Sequence, residues 1–171
     1  PGDNLGALAN LTPDARRAGL ASVTSGECVP LCLPLSEPDP PMFGRGRLAH
    51  TIFATGRNTL DDRLDEFHPQ GSTQWDGFRH VRAREHGFFT GHQGDFDPGD
   101  DRLGVGHWAG AGIIGRGVLF DFGHLCDAAI LAGDPAPGST ISTADMRRAG
   151  AEIGVRLGDV VCVRTGWMAL Y

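Results

Sequence analysis

An α/β domain, with a mixed sheet covered by helices, is what this sequence predicts, and three observations carry the prediction. Apolar, β-rich runs occur at 48–55, 113–122 and 158–166. Helical segments with clear start signals open at Thr12 and Ser142. Strands and helices therefore alternate along the chain, which holds no internal repeat and no low-complexity tract. With 171 residues and 40% hydrophobic content, residues 1–171 read as a single domain with enough apolar surface for a core.

Taken in order, residues 1–11 are rich in glycine and asparagine and predict a loop. Thr12 caps a helix with Pro13 at its first position and Asp14 in its first turn; Ala15, Ala18 and Val23 give its apolar face, and Gly26 ends it. Cys28 to Leu35 is apolar but holds Pro30 and Pro34, which predicts an edge strand, because proline cannot donate to a ladder. Residues 36–46 are a proline- and glycine-rich loop, and Leu48 to Thr55 is a strand in which His50 is expected as hydrogen-bonded structure. Asp61 to Glu66 reads as a solvated acidic approach to the next segment. Gly91 to Arg102 is a long loop expected to move over the site; its aspartates 95, 97, 100 and 101 do not match the spacing of a calcium-binding EF-hand. Ile113 to Phe122 is a buried strand, and its Gly115-Arg116-Gly117 lacks the spacing of a dinucleotide fingerprint. His124 is expected on the surface. Ser142 to Asp145 matches a capping box for a helix ending at Gly154, and the final β-rich run follows.

A net charge of −6 and a pI near 5.5, with no polybasic patch, argue against nucleic acid or an anionic membrane as partner. No apolar run approaches the roughly 20 residues of a membrane helix, and no signal-peptide pattern opens the chain, so a cytoplasmic protein is expected. Cysteines 28, 32, 126 and 162 lie mostly in apolar runs and are expected as buried thiols. The chain starts at Pro1 without methionine and stops at Tyr171 just after a strand-like run, which reads as part of a longer protein.

The chemistry concentrates between His68 and His80, where a carboxylate, two histidines and two carboxamides surround a Gly-Ser-Thr turn. An extended Gln70–Asp76 would place Gln70, Ser72, Gln74 and Asp76 on one face, with Thr73 and Trp75 on the other; Trp75 then belongs to the core. At about 3.3 Å per residue a straight strand separates Gln70 from Asp76 too far for one ion, so a shared site needs a bend, placed at Gly71. After Asp76 a short helical turn would bring His80 onto it. Ser72 and Thr73 are candidate substrate donors, and Trp108, with His107, a candidate pocket wall. His68 could join the ligands only through a two-residue bulge.

This stretch resembles the signature His-x-Gly-Thr-His-x-Asp-x-x-x-His of the cyclase-like metal-dependent hydrolases, which include bacterial kynurenine formamidase and isatin hydrolase. Further resemblance lies in Gly115-Arg116-Gly117-Val118-Leu119, in Arg164-Thr165-Gly166-Trp167 and in the segment following Asn4. With Thr73 on the family threonine, the resemblance places Asp76 on the metal-bridging aspartate and His80 on the general acid and base. Gln70 and Gln74 fall where the family has metal-binding histidines, and Ser72 where it has glycine. The resemblance implies a swivelling β/β/α fold and a divalent metal, zinc or manganese, held by Asp76, Gln74 and Gln70. It also implies a small cyclic or N-formyl aromatic amide as substrate and a homo-oligomeric assembly. A further histidine and glutamate of the family site lie downstream of the Arg-Thr-Gly-Trp strand, so these 171 residues are expected to be catalytically incomplete alone. The alternative is a catalytically silent member that binds a small molecule or serves only in assembly.

Overall fold

The computed structural model describes residues 3–123 and 140–166. Helix α1 spans Pro13–Ala21 and starts as its sequence dictates: Thr12 Oγ1 accepts a hydrogen bond from Ala15 N at 3.2 Å. It ends at Ala21, ahead of Gly26, and its contact face differs from the expected one. Val23 is 67% exposed, whereas Gly19 is buried. A Cβ on Gly19 would lie 2.6 Å from the Gly115 carbonyl carbon, so the two backbones approach at a distance only glycine allows.

Strands β1 (Ala49–Gly56) and β2 (Thr59–Asp65) form an antiparallel hairpin with an irregularity between Ala54 and Gly56. The acidic 61–65 segment is thus a paired strand and not merely a solvated approach; its charges hid a two-sided exposed strand whose alternation carries no apolar signal. Ile52 faces Asp62 and His50 faces Leu64, and His50 Nε2 reaches diagonally to Asp62 Oδ1 at 2.5 Å. His50 is hydrogen-bonded structure, as expected. Cys28 to Leu35, by contrast, forms no strand: Leu33 N donates to Thr73 Oγ1 at 2.9 Å and not to a neighbouring strand. Cys28 and Cys32 are consequently exposed, against expectation, and Cys162 is half-buried. His124 and Cys126 lie outside the described residues.

After helix α2 (Gly106–Ala111), strands β3 (Gly117–Asp121) and β4 (Val160–Arg164) pair in parallel, from Gly117 opposite Val160 to Asp121 opposite Arg164. Parallel pairing requires a crossover, and helix α3 (Thr143–Ile153) lies in that connection. Antiparallel and parallel pairing therefore both occur, in two separate two-stranded sheets. Alternation along β3 buries Val118 and Phe120, which with Phe122 form the core; Ile141, Met146 and Ala149 pack against it. Ser142 and Asp145 cap α3 reciprocally, and Gly154 ends it at φ 68° in the left-handed region. Replacing Ser142 with alanine is expected to cost about 1 kcal/mol in urea unfolding, with the baseline helix content unchanged.

A charge pair closes the strand pair at its base. Arg116 donates to both Asp159 oxygens, at 3.0 and 2.6 Å, and to the Gly154 carbonyl at 2.9 Å. The Arg116 guanidinium holds the Asp159 carboxyl below its usual value. A carboxyl depressed in this way contributes stability above its unfolded pKa of about 4 and loses it as pH falls through the folded value. Thermal unfolding followed from pH 6 downward is expected to show a shallower acid decline in Asp159→Asn than in wild type, from a lower starting point. No helix among the described residues is long and apolar enough to cross a membrane.

Candidate active site

The stretch between His68 and His80 does not run extended. Pro69–Gly71 is a single 3-10 turn, closed by Gly71 N donating to the His68 carbonyl at 2.7 Å, with proline pre-set at its first position. The bend expected at Gly71 is therefore present within a tighter turn. Its consequence is contact across six residues: Gln70 Nε2 donates to Asp76 Oδ2 at 2.9 Å. A second 3-10 turn, Phe78–His80, brings His80 Nδ1 onto Asp76 Oδ1. Burial pushes the Asp76 carboxyl up, but hydrogen bonding from His80 and Gln70 outweighs it and holds the group below its usual value; Gln74 adds a weaker contribution. Gln70, Asp76 and His80 are thus joined by hydrogen bonds, with Gln74 a weaker influence on the same carboxyl.

Aromatic packing sets the pose of the second turn. Phe78 stacks on Phe89 with ring centroids 4.1 Å apart and meets Trp108 edge-on at 5.1 Å. Gly6 lies over the Phe78 ring, where a Cβ would come within 2.5 Å of it. Arg79 Nη1 donates to the Asp100 carbonyl at 2.7 Å and ties the 93–105 loop to the turn that carries His80. Two positioning residues escaped the sequence reading. Asn4 accepts from Leu103 N through its side chain and from Trp108 Nε1 through its carbonyl; Arg79 is the second. Their partners lie far along the chain, so no local spacing marks them.

The other expected site residues are placed differently. Ser72 Oγ donates to the Pro34 carbonyl and Thr73 Oγ1 accepts from Leu33 N, both at 2.9 Å, so these hydroxyls anchor the proline-containing segment. Trp108 has its indole N–H on Asn4 and serves the aromatic cluster. Trp75 is 56% exposed and meets Trp108 edge-on, which corrects its expected place in the core. The straight-strand alternation that sent it inward does not exist here. His68 faces Glu66 with 4.0 Å between Nε2 and Oε2, and no contact of its side chain with Asp76 occurs among the described residues. His107 Nε2 lies 2.9 Å from the Asp101 carbonyl. A depression beside the site is lined by Leu33, Pro38, Met42, Phe43 and Arg45 together with Gln70, Gly71, Ser72 and Thr73.

These features define an α/β protein with an exposed, carboxylate-held histidine beside a partly apolar depression. The family described as "Putative cyclase" matches residues 29–171, and the chain belongs to that cyclase family. A crystal structure described as that of a novel cyclase is similar over 98% of this chain, with a TM-score of 0.71 and 26% identity. The chain spans 58% of that protein's length. No curated protein matches the chain.

The metal that the family resemblance implies can be tested against the donors in place. Among the described residues no three His, Cys, Asp or Glu side chains converge on one point. Asp76 is the sole carboxylate of the four-residue group, and both its oxygens already accept from His80 and Gln70. An ionised carboxylate only accepts, so the Gln70 carboxamide must turn its nitrogen toward Asp76 and its oxygen away. Neutral carboxamides are also poor ligands for zinc beside imidazole. Among the described residues, these donors by themselves do not complete a site for a tightly held zinc or manganese ion.

Proposed function

We propose that this segment is the proton-transfer half of a hydrolase site that acts on a small cyclic or N-formyl aromatic amide. The observation that carries the reading is the Asp76–His80 pair: Asp76 engages Nδ1, and Nε2 has no hydrogen-bond partner among the described residues. The His80 side chain is 41% exposed, so a substrate and a water can reach it. In this reading Nε2 takes a proton from the attacking water and returns it to the departing nitrogen, while Asp76 fixes the tautomer and stabilises the imidazolium. The apolar part of the lining, Leu33, Pro38, Met42 and Phe43, suits an aromatic ring, and the Thr73 hydroxyl hydrogen suits a substrate oxygen.

The test is hydrolysis by the full-length protein of N-formyl aromatic amides, cyclic aromatic amides and aliphatic formamides. Faster turnover of the aromatic members is the expected result; no turnover of any amide contradicts the reading. A second reading, a catalytically silent member that binds a small molecule or serves only in assembly, draws support from the carboxamides of Gln70 and Gln74. Binding of an intact aromatic amide without its hydrolysis would favour it.

A further inference from the structure

We infer that Gln70 is a positioning residue that stands in for a cation: its carboxamide braces Asp76 so that it holds His80 without a transition metal. The inference deepens the hydrolase reading of the same site and rests on it for its catalytic meaning, although the arrangement of the donors is independent of turnover.

A carboxylate that holds a histidine uses one oxygen for the ring N–H, and its second oxygen needs a further partner to stay oriented. Gln70 supplies that partner at 2.9 Å. The link spans six residues and exists only because the 3-10 turn at Pro69–Gly71 folds Gln70 back. Gln74 adds only a weaker lowering of the same carboxyl. With both oxygens accepting from protein donors, a cation at Asp76 would have to displace a hydrogen bond that the turn geometry enforces. It would gain a neutral amide oxygen only after that amide had flipped. Histidine at 70 and 74 would reverse this balance, because two imidazole nitrogens and one carboxylate make three of the four ligands of a common zinc site.

Equilibrium dialysis against zinc, and separately manganese, followed by elemental analysis tests the inference. Wild type is expected to retain far less than one metal per chain, with no change in Asp76→Ala. The double variant Gln70→His/Gln74→His is expected to take up close to one zinc per chain and to lose it when Asp76→Ala is added. Stoichiometric metal in wild type that Asp76→Ala removes would overturn the inference, and so would a folded double variant that binds no more than wild type. Should that variant fail to fold, the His80 ring ¹⁵N shifts of wild type decide alone: no change on adding zinc supports the inference, and a change at one equivalent overturns it. A failure of the hydrolase reading appears as absent turnover and leaves these metal contents as they are, so the two failures are distinguishable.

Discussion

His80→Ala is expected to lower amide turnover on the order of 10²- to 10⁴-fold, the usual worth of a positioned acid–base group. The loss should fall on kcat with KM little changed, because His80 lines no wall of the depression assigned to the aromatic ring. Asp76→Asn should cost about 10²-fold or more by a different route: the carboxamide keeps the shape of the side chain but no longer selects the tautomer with its proton on Nδ1. The fold should survive both changes. His80 and Asp76 are each more than a third exposed, and neither belongs to the core. Steady-state kinetics beside melting curves check this, and a large fall in melting temperature in His80→Ala would show a structural role in place of a chemical one.

Phe120→Ala is expected to destabilise the protein by about 3–5 kcal/mol, the range for a buried phenylalanine truncated to alanine. Phe120 is 4% exposed, meets Phe122 edge-on at 6.3 Å, and lies under the helix that crosses between the parallel strands. Against a net stability of roughly 5–15 kcal/mol, that loss removes a large share of the total. The buried cluster of Val118, Phe120 and Phe122 is small, which leaves few neighbours able to close the resulting cavity. Leu157→Ala, at a residue 78% exposed, is the matching control and should change stability by about 0.5 kcal/mol or less. Urea unfolding with a shared slope measures both, and a Phe120→Ala cost below about 1 kcal/mol would contradict the assignment of this cluster as the core.

What the sequence could convey divides along physical lines. Short-range signals were legible: Thr12 and Ser142 cap helices where their side chains can reach backbone amides within three residues. The same holds for Asp76 and His80, one turn apart. The strand β3 was legible from its apolar run, but only one of its faces is buried: Leu119, on the other, is 53% exposed. The hairpin strand at 59–65 was not, since both of its faces are exposed and its charges mimic a loop. The 70–76 segment misled for a related reason. Polar alternation predicts a strand, but Pro69 and Gly71 impose a turn, and that turn joins Gln70 to Asp76. The exposure of Cys28 and Cys32 follows from a strand that Pro30 and Pro34 prevented from forming. Links such as Asn4 to Leu103 and Trp108 are tertiary and leave no spacing to read.

The most direct measurement of the proton-transfer role is chemical rescue of His80→Ala by free imidazole, assayed as formate release from an N-formyl aromatic amide by the full-length protein. A proton-transfer role for His80 predicts that millimolar imidazole restores a measurable part of the lost rate in His80→Ala and adds little to wild type. Hydrolysis by His80→Ala at the wild-type rate without imidazole would contradict it.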